Sequence, residues 1–179
     1  MTAQSVLSFW FEEIEPKQWW GKSDEFDQLI ADRFGALHAA AARCELSDWR
    51  ATPQGRLAEV IVLDQFSRNI YRDQPQAFAC DALALALAQN AVALQADQGL
   101  PAQQRTFLYM PYMHSESALI HVSALPLFSH AGLEHALPSE LRHKAIIDRF
   151  GRYPHRNAIL GRASTAEELD FLAMPGSSF

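Results

Sequence analysis

The sequence predicts an all-α fold on three observations. Apolar residues recur at intervals of three and four, capping residues stand in front of those runs, and alternation of β-branched with polar residues hardly occurs. With 179 residues, 49% of them hydrophobic and 20% charged, the chain reads as one globular domain spanning 1–179. A chain of that size buries roughly 70% of its unfolded surface and needs no staples.

Taken in order, Ser5 to Phe11 reads as a short apolar helix anchored by Phe9, Trp10 and Phe11, and Glu12 to Lys22 as a loop holding Trp19 and Trp20. Ser23 is an N-cap, with Asp24 and Glu25 complementing the positive helix end, and Phe26, Ile30, Phe34, Leu37 and Ala41 define the buried face that follows. Glu45 to Arg50 is a connector whose Trp49 plugs the core. Thr52-Pro53 pairs a capping hydroxyl with proline at the first helical position and opens a helix to about Ile70. Asp73 to Pro75 opens another, to about Gly99, and Leu100-Pro101 a third, which Pro111 must kink or end. Ser115 to about His130 is helical, with Pro126 a disturbance and Gly132 a stop. Ser139 caps the next helix and Gly151 ends it; Arg152 to Arg162 is an irregular loop; Ser164 and Glu167 form a capping box before a last short helix. Seven or eight helices with short connections make a layered bundle or helical-hairpin array.

A net charge of −6 argues against nucleic-acid and anionic-membrane partners, which call for a basic face. Cys44 and Cys80 give no disulfide framework or metal knot and read as small core residues of a reducing compartment. The N-terminus has no leader pattern and no run approaches ~20 apolar residues, so the expected location is the cytoplasm. Dinucleotide, P-loop, nucleophile-elbow, His-Glu-x-x-His, calcium-loop and zinc-finger patterns are all missing, and no cofactor or metal is expected.

Three segments carry polar groups in suggestive settings. The Thr52–Ile70 helix is apolar nearly all round and therefore central, yet Asp64 and Arg68 lie on one side of it, a turn apart. One reading is an internal clasp; the other is the polar wall of a pocket. In Tyr109 to Glu116, a proline stands just before His114 and Glu116; either Ser115 or Glu116 caps the next helix, or His114 and Glu116 build a site. Arg149 to Arg162 gathers four arginines with His155 and Asn157, many donors and few acceptors, suited to a carboxylate or phosphate, or to tying down the loop.

Together these stretches resemble the bacterial domain-of-unknown-function family 924. The resemblance rests on Val6-Leu-Ser-Phe-Trp-Phe11, Trp19-Trp20, Phe26-Asp27, Arg56 through Arg72 with its Leu-Asp-Gln-Phe-Ser-Arg-Asn core, Ala77-Phe-Ala79, Phe107 to Glu116, and Arg149 through Arg162 followed by Ser164-Thr165 and Glu167-Glu168. It covers nearly the whole chain, which departs from the pattern at Gln54 and Ser117. It implies a tetratricopeptide-repeat-like α-α superhelix and brings no activity, substrate or cofactor.

The functional expectation is a pocket for a small anionic molecule. Arg68, Arg152 and Arg156 hold the anion together with Asn69 and Asn157, Asp64 and Glu116 orient the arginines, and His114, Glu116 or His155 moves a proton if the protein is an enzyme. The alternative is an interaction module presenting a groove to a protein partner or to a second copy of the chain, with the tryptophans as contacts. A third reading has His114, Glu116, His143 and His155 binding a metal.

Overall fold

The computed structural model describes residues 1–178, and among them the chain is helical with no β-strand. Thr2 caps α1 (Ala3–Ser8), which widens without a break into a π-helical turn at Phe9–Glu13; Phe9 and Trp10 are buried there. The stretch before the next helix is not all loop, because Pro16–Trp19 forms a 3₁₀ turn. Ser23 caps α2 (Asp24–Ala42) by accepting from the Phe26 N–H, and the five apolar residues expected on its inner face are buried.

Thr52 caps α3 (Pro53–Ile61), with Pro53 in its first turn. The 3₁₀ turn Ser47–Ala51 lies so close that a Cβ on Gly55 would sit 1.9 Å from the Trp49 carbonyl oxygen, and Trp49 is partly buried against the core. From α3 the chain runs through a second π-helical turn, Val62–Phe66, into α4 (Ser67–Ile70). Leu57, Val60, Ile61, Val62, Leu63 and Phe66 have no exposed surface, so this rod is the centre of the molecule.

Around it pack α1, α5 (Asp81–Ala93) and α6 (Ala102–Met113), while α2 lies along the second π-turn and α4. Ala84, Ala88 and Ala91 form the buried face of α5, which lets it approach its neighbours closely. Onto α6 packs α7 (Ala118–Phe128), and onto that α8 (Leu137–Phe150). Consecutive pairing of this kind is compatible with an α-α superhelical layout. A smaller apolar cluster of Ile146, Ile147 and Tyr153, flanked by Phe150 and Phe171, joins α8 to α9 (Ala166–Leu172). Among the described residues no helix is long and apolar enough to cross a membrane.

Several local expectations are corrected. The segment from Asp73 to Gly99 is a 3₁₀ turn at Pro75–Phe78, then α5, then another 3₁₀ turn at Ala96–Gly99, with Gln95 at φ 56° breaking the path. Pro111 sits inside α6, which runs on to Met113, and the His114 N–H still bonds the Met110 carbonyl at 2.9 Å. The start of α8 is Leu137, two residues before Ser139, and Gly151 at φ 67° ends it as expected. The capping box is Thr165 with Glu168, one residue beyond the pair expected. Cys80 is buried, whereas Cys44 is exposed just past the end of α2.

Candidate functional site

The second π-helical turn places Asp64, with no exposed surface, at the middle of the molecule. Wide turns of this kind recur at functional sites. A carboxylate buried there must be matched by donors. His114 Nδ1 lies 2.7 Å from its Oδ1, Gln65 Nε2 donates to Oδ2 at 2.6 Å, and Arg68 Nη1 stands 3.2 Å from Oδ1 while donating to the Asp64 backbone carbonyl at 2.7 Å. Burial alone would raise the Asp64 pKa, but Arg68, His114 and Gln65 outweigh it and hold the group well below the usual carboxylate range.

From Arg68 the network continues outward. Its guanidinium forks onto Asp81, the first residue of α5, at 3.0 and 3.1 Å. Arg156, in the turn Pro154–Arg156, donates to the same carboxylate at 3.2 Å and to the His114 carbonyl at 3.1 Å. The links therefore close a ring: His114 to Asp64, Asp64 to Arg68, Arg68 to Asp81, Asp81 to Arg156, and Arg156 back to His114. Two carboxylates balance two guanidiniums. The Arg156 guanidinium lies over the rings of Phe78 and Tyr153, 4.6 Å from each centroid. Tyr153 Oη donates to the Met113 carbonyl at 2.6 Å, fixing that ring at the end of α6.

Electrostatics differ around the ring. Burial would lower Arg68, but Asp64 and Asp81 leave it raised; Arg156 is lowered, by burial first and then by Arg68. His114 is also lowered, by burial and by Arg68, which together exceed the pull of Asp64. A neutral His114 next to an ionised Asp64 donates from Nδ1, an assignment made from its partner, so Nε2 carries the lone pair.

A cavity of about 750 Å³ opens beside the ring, and its lining includes Arg68, His114 and Arg156 together with Trp20, Phe78 and Met110. Asn69 and His155 line it too. Asn69 Nδ2 donates to Asp27 at 2.8 Å, and Arg72, also in the wall, holds the same carboxylate. Burial, reinforced by Arg156, brings His155 down to about 4; burial brings His143, another wall residue, to about 3. The cationic lining residues are Lys22, Arg68, Arg72, Arg142 and Arg156, against Asp73 as the acidic one among the described residues. Asp64 and Asp81 stand behind the arginines.

Glu116, Arg152 and Asn157 are placed elsewhere: Glu116, ahead of α7, is tied to the Arg149–Arg162 loop, and Arg152 and Asn157 tie that loop to Glu168 of α9. Arg162 forks onto Glu116 at 2.6 and 2.9 Å, and the Tyr153 N–H donates to the same side chain at 2.7 Å. Arg152 forks onto Glu168 at 2.6 and 2.8 Å, while Asn157 Nδ2 donates to Ser164 Oγ at 3.0 Å. Glu116 also reaches a shallower depression of about 400 Å³, which it shares with His114 and Arg156. Among the described residues no group of three or more His, Cys, Asp or Glu side chains is arranged to hold a metal, and His114, Glu116, His143 and His155 are not gathered into one.

Sequence reasoning missed Asp81, which falls unmarked inside the helix expected from Asp73–Pro75 to about Gly99, and Gln65, Arg72 and Trp20. Only Gln65 had a local signal, as the polar neighbour of Asp64 on a helix apolar all round.

The comparisons agree with this picture at the level of family and fold. The family described as bacterial protein of unknown function (DUF924) matches residues 6–176. The solved structure of protein of unknown function ATU0120 from Agrobacterium tumefaciens is similar with a TM-score of 0.90 and 36% sequence identity, over 96% of each chain. No curated protein matches. With nearly its whole length matched and its fold shared with that bacterial protein, the chain belongs to the DUF924 family of bacterial proteins of unknown function.

Proposed function

We propose that the cavity binds a small anion, held by Arg156 and Arg68. One observation carries this reading. Arg156 is 6% exposed and lines the cavity; two of its nitrogens serve Asp81 and the His114 carbonyl, and its Nε–H has no acceptor among the described residues. Buried donors are nearly always matched, and an unmatched one costs about 1–3 kcal/mol. An anion entering against Arg156 supplies the missing acceptor after a small side-chain adjustment. The surplus of cations in the wall favours the same occupant. If the ligand is turned over, neutral His114, oriented by Asp64, is the group placed to accept a proton. His155 is a second candidate. Glu116 and Arg152 are committed to Arg162 and Glu168 and take no direct part. A single-domain cytoplasmic protein is the setting assumed.

Binding of a protein partner is the second reading. It draws on Leu119 and Val122 of α7, which are 79% and 58% exposed.

The test is thermal denaturation of the purified chain with a panel of millimolar carboxylates and phosphates, repeated on Arg156→Lys, which keeps the charge and loses the fork. A ligand at 100 times its Kd stabilises by about 2.7 kcal/mol. The anion-site reading requires a stabilising anion whose effect shrinks in R156K; equal shifts in both proteins, or no shift with any anion, refute it.

A further inference from the structure

We infer that the anion preferred by this cavity is an organic carboxylate with an apolar body of roughly aromatic size, in preference to inorganic phosphate or a bare short acid; this deepens, and rests on, the anion-site reading above. The first support is volume. About 750 Å³ falls within the roughly 300–1,000 Å³ of sites for organic ligands. A bare carboxylate or phosphate occupies a few tens of Å³, on the scale of a water's ~30 Å³. A small anion alone would leave most of the space as water against apolar walls.

The second support is what those walls are. Trp19, Trp20, Phe78, Met110 and Met113 line the same space as the arginines. Trp20 is 63% exposed, yet its ring is not loose: it stacks on Phe107 at 10° and 5.9 Å between centroids, and meets Trp19 edge-on at 84° and 6.3 Å. Trp19 is itself pinned by its indole N–H, which donates to the Trp10 carbonyl at 2.9 Å. The Trp20 indole is thus held in orientation by Phe107 and Trp19 while much of its surface stays open, a pre-oriented platform of the kind that anchors apolar ligand groups at little entropic expense. Met110 and Met113 offer flexible thioether surface that adapts to the shape of an apolar body.

The third support is charge. Asp64 and Asp81 already neutralise Arg68 and Arg156, and burial holds His114, His143 and His155 of the wall neutral. The ring itself is balanced and largely buried, and the wall's remaining cations, Lys22, Arg72 and Arg142, lie outside it, so the ring takes up one negative charge more easily than two, since each buried charge must be matched. A carboxylate brings one charge and two oxygens fitted to a guanidinium fork; phosphate near pH 7 brings between one and two.

Calorimetric titration of the full chain decides the matter, with acetate, inorganic phosphate, 3-phenylpropionate, 3-phenylpropanol, and the straight-chain series butyrate, hexanoate and octanoate as probes. The expected results are tighter binding of 3-phenylpropionate than of acetate, phosphate or the uncharged alcohol, and a Kd that falls about fourfold for each methylene buried along the series. Trp20→Ala, with the fold checked by circular-dichroism melting because the ring also stacks on Phe107, weakens 3-phenylpropionate at least tenfold and leaves any acetate binding unchanged. Phosphate binding as tightly as 3-phenylpropionate, a flat alkyl series, or full affinity in W20A overturns this inference and leaves the anion site standing. Equal binding of the alcohol and the acid overturns it through the charge. No binding of any probe overturns it, and an unaltered anion response in R156K overturns the underlying site as well.

Discussion

Asp81→Ala is the sharpest test of whether the buried charges form one unit. Asp81 is the single carboxylate shared by Arg68 and Arg156, at 3.0, 3.1 and 3.2 Å. The side chains of Asp81, Arg68 and Arg156 are 19%, 21% and 8% exposed, so solvent screens them little. Removing Asp81 leaves two guanidiniums facing a gap, with Asp64 the only carboxylate left to the ring. Deleting one partner of a buried pair costs about 3–5 kcal/mol. For a domain of this size 1 kcal/mol corresponds to about 2–4 °C, so Tm should fall by about 6–20 °C. Calorimetric or circular-dichroism melting measures the loss. Asp81→Leu combined with Arg156→Met should cost less than the sum of the single changes, because the pair is removed together. Acetate at tens of millimolar should restore part of the stability of D81A by occupying the vacated seat. A loss below about 1 kcal/mol, the level of an exposed surface pair, would refute the ring as a structural unit.

Three further predictions rest on burial and space. His143, held down to about 3 by burial, is neutral in the folded protein and protonates near 6.5 when unfolded. Its folded pKa is depressed, so its contribution is complete above pH ~6.5 and is lost as pH falls from there towards ~3, at up to about 1.4 kcal/mol per pH unit. His38, His114 and His155 are lowered for the same leading reason and steepen the slope. Urea midpoints at pH 7, 6 and 5 should therefore decline, less so in His143→Gln; a constant midpoint down to pH 5 contradicts the burial of these rings. Gly55→Ala should destabilise by about 3 kcal/mol, since its Cβ would meet the Trp49 carbonyl oxygen at 1.9 Å, and backbone yields poorly. Gly35→Ala, with nothing within 4 Å inside α2, should stabilise by about 0.5–1 kcal/mol. Chemical denaturation of both would expose an error if their signs agreed.

The sequence by itself determined the main helices, because their signals lie within one or two turns of chain (Thr52-Pro53 opening α3, Ser23 before α2, Gly151 after α8), and the family, because its ordered segments run along nearly the whole chain. It also marked Asp64 and Arg68 as out of place on an apolar helix, since a four-residue spacing is a local fact. Even local reading had limits. In Ser164-Thr165-Ala166-Glu167-Glu168 two overlapping capping boxes can be written, and the outcome is Thr165 with Glu168, while Ser164 Oγ accepts from Asn157. The π-helical turn that buries Asp64 leaves no mark in the pattern of a segment apolar all round.

Tertiary structure alone decided the pairing of charges. Arg152, Arg156 and Arg162 are chemically identical and close in sequence, yet they go to Glu168, Asp81 and Glu116, according to where the turns aim each stem. Asp81 lies 13 residues from Arg68 and 75 from Arg156, and Trp20 joins the wall from the far end of the chain. Short-range hydrogen bonds and side-chain periodicity write helices into a sequence; which buried charge meets which is settled only when distant segments close around a common core.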